Sequence, residues 1–263
     1  MSFAETFLLL IRLNRRNERP TTLAWRNFNM NVQRYARIAG VLLLISLVAG
    51  GFGEAFVPSK LIVAHDAAAT VANIKNFDFL YRLGFAAFLI ESLCDITLVV
   101  IFYALLKPVN KELSLLAAFF GLVGTALFAF AEAFYFAPLL MIGSADYLKT
   151  FAPDQLNTLV LLSLKFYGYA GMIFTAYYGM SWIVRAYLIW HSAYLPKFLG
   201  VLMAIGGIGF VVRNFAMILA PAYASDVLLM LMFPGGLAMT GWLLVKGVDV
   251  AKWNAQANAG RAS

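Results

Sequence analysis

The chain is short of the residues that most catalytic and metal-binding motifs require. It has one cysteine, Cys94, and two histidines, His65 and His191. A single cysteine excludes an intrachain disulfide, and neither histidine stands at a metal-ligand spacing. HExxH, CxxC and P-loop patterns are absent. The sequence therefore calls for no structural zinc, no cofactor and no familiar hydrolase centre. No serine or cysteine has a histidine at helical spacing, so a nucleophile–base pair is missing too. Charge is also scarce. Only 13% of the 263 residues are charged and 62% are hydrophobic, whereas a soluble domain is about a quarter charged and about half apolar.

What is present is long apolar runs, the mark of an integral membrane protein. Six segments meet the length of roughly 20 residues that a bilayer demands: 38–57, 80–106, 113–141, 158–188, 198–220 and 226–246. Pro58, the Lys107–Lys111 stretch, Pro153-Asp154, Pro196-Lys197 and Pro221 punctuate them. The fold class expected is an all-α bundle of six transmembrane helices. The third and fourth spans exceed the minimum and should tilt or protrude. Three regions follow: a basic segment over 1–34, the membrane domain over 35–250, and a tail over 251–263.

The amino terminus does not read as a secretory signal, because FLLLI (7–11) precedes Arg12, Arg15, Arg16 and Arg19 instead of following them. Residues 1–30 suit either an interfacial segment on anionic lipid headgroups or a solvated tail. Lysine and arginine set the direction. Seven arginines precede span one. With both termini inside, Lys107, Lys111, Arg185, Lys197, Lys246, Lys252 and Arg261 are also inside, against Lys60, Lys75 and Lys149 outside. That asymmetry predicts cytoplasmic termini and a multi-pass protein of the cell inner membrane. It also accounts for most of the +7 net charge, so nucleic acid is not an expected partner. Arg37-Ile-Ala-Gly-Val-Leu-Leu and Lys197-Phe-Leu-Gly-Val-Leu-Met look alike, but a cation followed by Gly, Val and Leu is what inward anchoring alone produces.

FLIESLCDITLVVIFYALL, residues 88–106, carries Glu91 and Asp95 one turn apart. Glu54, Glu132, Lys165 and Arg213 also lie inside spans, at a cost of about 2.5–3.5 kcal/mol each near a helix centre. Arg82 sits at an outer boundary and is expected to snorkel to headgroups. The other six lie near small residues, which mark faces where helices approach. Glu54 follows Gly50 and Gly51, Glu132 follows Gly124 and Phe128, Lys165 shares a stripe with Gly168, Thr175 and Gly179, and Arg213 follows Gly206 and Gly209. Four acids against two bases leave two carboxylates unpaired if all ionise. These six are either interhelical clamps or the walls of a ligand-binding pocket in the outer half of the bundle. Pro234-Gly235-Gly236 should kink span six. Trp182 and Trp190 are expected in the interfacial belt.

Several stretches together resemble a known family. GGFGEAFVPSKLIV (50–63), DAAATVANI (66–74), YRLGFAAFLIESLCD (81–95), LLKPVNKELSLLAAFF (105–120), YLPKFLGVLMAIGGIGF (194–210) and GWLLVKGV (241–248) resemble bacterial multi-pass membrane proteins grouped as domain of unknown function 4386. The resemblance covers about residues 35–250 and implies a six-helix membrane protein with no established activity. It departs from the pattern at FFGLVG (119–124), LKFYGYAG (164–171) and FPGGLAM (233–239), so an activity that needs those positions does not carry over.

The first expectation for function is that a charged outer pocket binds or passes a small polar or amphiphilic molecule. A second is an accessory or assembly subunit with a protein partner in a membrane complex, suggested by the basic extension and the aromatic fourth span. A third, an intramembrane lipid-modifying enzyme, lacks recognisable machinery.

Overall fold

The structure, a computed structural model, describes residues 22–260, with side chains from residue 32 onward. The basic segment expected over 1–34 falls almost entirely outside the residues with described side chains. The elements are α1 (Thr22–Gly50), a π-helical turn (Gly51–Phe56), α2 (Val57–Leu61), α3 (Ala67–Asn76), α4 (Asp78–Leu106), α5 (Lys111–Met141), α6 (Pro153–His191), α7 (Lys197–Leu219), α8 (Val227–Met230), α9 (Met232–Val245) and α10 (Val250–Ala259). Short 3₁₀ turns occupy Asp146–Thr150 and Pro221–Tyr223. No strand occurs among the described residues.

Six stretches are long and apolar enough to cross a membrane: Val32–Leu61, Asp78–Leu106, Lys111–Met141, Pro153–His191, Lys197–Leu219 and Val227–Val245. These are the six spans expected from the sequence. The fourth is 39 residues, or roughly 58 Å of helix, so it outruns the hydrocarbon layer as expected. Local chemistry sets the ends. Asn110 caps α5 by accepting from the Leu113 N–H at 2.8 Å, and Pro153 opens α6 at a position where a missing N–H costs nothing.

The helices form a closed ring in the order α1, α4, α5, α6, α7, α9 and back to α1. Short connections make successive spans antiparallel. One end, here the terminal face, gathers the start of α1, the α4–α5 and α6–α7 turns, and α10. Tyr194 and Trp253 both donate to the Leu105 carbonyl there, at 2.7 and 2.9 Å. Gln33 accepts from the Val248 N–H and donates to the Lys246 carbonyl. Residues 250–259 form α10, anchored by buried Trp253. The opposite, distal face carries α2, α3, the α5–α6 connection and residues 220–226.

Glycine sets the closest crossings. Methyl groups added at Gly179 or Gly207 would each stand 2.8 Å from the other residue's carbonyl oxygen, so α6 and α7 touch backbone to backbone. Span six breaks at Leu231, between α8 and α9. Pro234 has no N–H for the Met230 carbonyl, which accounts for the kink there. Trp182 differs from the expectation of a belt residue. It is 6% exposed and packs against Tyr178 and Phe210, because Gly206 and Gly236 leave room for the indole. Trp190 is exposed and lies under the Lys197 ammonium, as an interfacial residue should.

Candidate functional site

The centre of the ring is polar in its distal half. Glu91 faces α1 at Gly50, where an added methyl would stand 2.7 Å from Glu91 Oε1. Only a glycine lets the carboxyl group lie against that backbone. One turn on, α1 widens into the π-helical turn Gly51–Phe56. The cause is Pro58, which offers no N–H to the Glu54 carbonyl four residues earlier and would clash with it in a regular helix. The Val57 N–H bonds instead to Phe52. Such turns re-aim side chains and recur at functional sites. This one brings the Glu54 carboxyl within hydrogen-bonding reach of Glu91. Glu54 itself is accessible.

Glu132 on α5 lies near enough to Glu54 and Glu91 to interact with both electrostatically. It is 3% exposed, and neither of its carboxyl oxygens has a hydrogen-bond partner. Beside it lies a packed aromatic group. Tyr135 stacks on Tyr81 at 4.6 Å and meets Phe88 and Tyr167 edge-on or tilted at 5.0 and 5.3 Å. The Tyr81 hydroxyl donates to the Tyr135 carbonyl. The Tyr135 hydroxyl, fully buried, has no partner.

Asp95 lies deeper and is better served. Ser46 donates to it at 3.2 Å, the Tyr178 hydroxyl is within reach, and the Arg185 guanidinium attracts it. Arg185 is 4% exposed. Its guanidinium lies over the Phe102 ring at 4.9 Å and fits against α5 because residue 121 is glycine. Arg185 Nη2 has no hydrogen-bond partner. Beneath Asp95, between Leu98, Tyr178, Trp182 and Arg185, the interior narrows to a void of about 20 Å³, room for one water.

Thus four of the six residues singled out from sequence, Glu54, Glu91, Asp95 and Glu132, share the ring interior. Two do not. Lys165 is exposed. Gly179 and Gly207 face each other, and α7 ends at Leu219, twelve residues beyond Gly207. The same distance back along α6 reaches Tyr167, so the stripe leading to Lys165 has run past the end of its neighbour. Arg213 instead donates twice to a single oxygen of Asp226, Oδ1, from Nη2 at 2.6 Å and from Nε at 3.1 Å. That aspartate belongs to the distal connection and not to the interior. Arg82 pairs with Asp78 at the distal boundary at 2.8 Å, consistent with the headgroup placement. The cation the sequence reading missed is Arg185, which the positive-inside count absorbed as an anchor. Its one signal was Ser181, a small residue one turn earlier on the same face.

Together, six apolar spans around a core of carboxyl groups define a multi-pass helical membrane protein. The chain belongs to the family described as Domain of unknown function (DUF4386), whose model matches residues 38–247. It is also similar to an uncharacterised protein of the archaeon Archaeoglobus fulgidus, 27% identical over 154 residues, or 58% of this chain and 76% of that protein. No solved structure matches.

Proposed function

We propose that the protein holds a small polar or amphiphilic molecule in a chamber walled by Glu54, Glu91 and Glu132. The chamber opens toward the distal face, taken as the outer side of a bacterial inner membrane. The observation that carries this reading is Glu132, buried with both oxygens unpartnered. A buried carboxyl group left that way costs several kcal/mol, more than a clamp could justify, since a clamp would supply the missing partner. The contacts that close the ring between α1 and α9 support an opening at the distal end. Arg37 donates to the Leu244 carbonyl, and Gly40 packs on Leu244. Both contacts lie in the terminal half.

Asp95 and Arg185 form the floor of the chamber. Below them the one-water void is walled by aromatic and aliphatic side chains, which favours holding a ligand over open conduction. Native mass spectrometry of the full chain, extracted in mild detergent, tests the reading. A small-molecule adduct is expected on the wild type and should be lost in Glu132→Gln and Glu91→Gln. Bare wild-type protein, or an adduct that persists in both variants, would overturn it.

A further inference from the structure

Resting on that chamber, we infer that its occupant is an organic cation, a protonated amine whose ammonium group lies among Glu54, Glu91 and Glu132 and against the Tyr135 hydroxyl. The described cations on the distal side are committed elsewhere. Arg82 pairs with Asp78, Lys149 with Asp146 and Arg213 with Asp226. Lys60 lies over the Phe56 ring, and Lys75 and Lys165 are exposed. Among the described residues Arg185 is the one cation turned to the interior, and it attracts Asp95, the acid already provided with hydroxyl donors. The three upper carboxyl groups therefore bring acceptors and no base.

The unpartnered atoms point to the shape of the missing group. Glu132 Oε1 and Oε2, Glu91 Oε2 and the Tyr135 hydroxyl all lack partners, and Glu132 and Tyr135 are 3% and 0% exposed. Unpartnered carboxyl oxygens are acceptors in search of donors, and an ammonium supplies up to three N–H donors with one positive charge. The Tyr81, Phe88 and Tyr167 rings packed around Tyr135 suit an aromatic or aliphatic body attached to that charge. A metal ion fits less well. No three acidic, histidine or cysteine side chains among the described residues converge closely enough to hold one.

Three matched probes test the charge: 2-phenylethylammonium, neutral 2-phenylethanol and anionic phenylacetate. Each is titrated by saturation-transfer NMR against the full chain in phosphatidylcholine nanodiscs, whose zwitterionic surface does not collect amines. The ammonium should bind saturably and the other two at least about tenfold more weakly. Glu132→Gln and the accessible Glu54→Gln should each weaken the ammonium by about tenfold. Circular dichroism checks that each variant is folded, and Glu54→Gln stands alone if the buried variant fails to fold. Equal binding of 2-phenylethanol overturns the inference, because the carboxyl groups are then neutral and paired with one another. So does ammonium binding unchanged in folded variants. A native-mass adduct in protein that binds no ammonium probe sinks the cation alone and leaves the chamber standing. Neither adduct nor probe binding sinks both.

Discussion

At Arg185 two rules compete. A cation near the end of an inward-running span is ordinarily an anchor that snorkels to the interface. Here Gly121 leaves space for the guanidinium, the Phe102 ring accepts its face, and Asp95 lies near enough to attract it. Removing one member of a buried opposite-charge set strands the other, at about 3–5 kcal/mol when the pair is in direct contact. Arg185 and Asp95 make no direct ion pair within 4 Å, so the lower end of that range applies. Arg185→Gln should lower the melting temperature in detergent, and Arg185→Lys should restore little, since an ammonium cannot reproduce the planar stack on Phe102. The cycle with Asp95→Asn decides whether charge is the cause. The double variant should lose clearly less than the sum of the single losses, and strict additivity would show that Arg185 acts only through packing. Beyond Ser181 one turn before it, nothing in the one-dimensional pattern separates this arginine from an anchor, because burial depends on what residue 121 is, on another helix.

At the scale of the element, length and spacing explain both what sequence reveals and what it conceals. Each of the six spans is an apolar run ended by a proline or a cap, so their existence and order are written locally. The side a residue faces is local too: Glu54 and Glu132 were traceable from small residues on the same stripe, and Glu91 and Asp95 from standing one turn apart inside a span. Whether a neighbour covers that stripe is not local. α7 is 23 residues against 39 for α6, which leaves Lys165 uncovered although Thr175 and Gly179 on its stripe are packed. Asp226 captures Arg213 because the chain turns back at Pro221–Tyr223. The π-helical turn was hidden as well, since Pro58 reads equally as the end of a span.

The glycine crossings give a prediction at this scale. Gly207→Ala forces a methyl to 2.8 Å from the Gly179 carbonyl and should destabilise by about 1–3 kcal/mol, as overpacking does. Gly168→Ala and Gly241→Ala meet nothing within 4 Å. They should be neutral or stabilise by up to about 1 kcal/mol through helix propensity. Thermal unfolding of the three variants in one detergent makes the comparison. Equal losses at all three positions would mean that α6 and α7 do not meet where the structure has them.

For the whole molecule the open question is which face looks outward. The ring places Arg34, Arg37, Lys111, Lys197 and Lys246 at the terminal face, beside Lys252 paired with Asp249, and Trp190 lies beneath Lys197 in the manner of an interfacial belt. At the distal face three of the cations are held by acids of the same face, Asp78, Asp146 and Asp226. The uncompensated positive charge is thus concentrated at one end, which the positive-inside rule assigns to the cytoplasm. The rule thus predicts that the carboxyl chamber proposed above opens outward. Replacing Cys94 with alanine removes the native thiol, which is buried, and leaves single engineered cysteines as reporters. In intact cells a membrane-impermeant maleimide should label Tyr147→Cys and Ser225→Cys at the distal face and leave Gly260→Cys unlabelled until the cells are opened. Glu54→Cys should label from the distal side, more slowly than Tyr147→Cys because it lines a recess. Labelling of Gly260→Cys alone in intact cells would invert the molecule and turn the chamber toward the cytoplasm. Labelling of Tyr147→Cys and Ser225→Cys without Glu54→Cys would keep the direction and close the chamber to water.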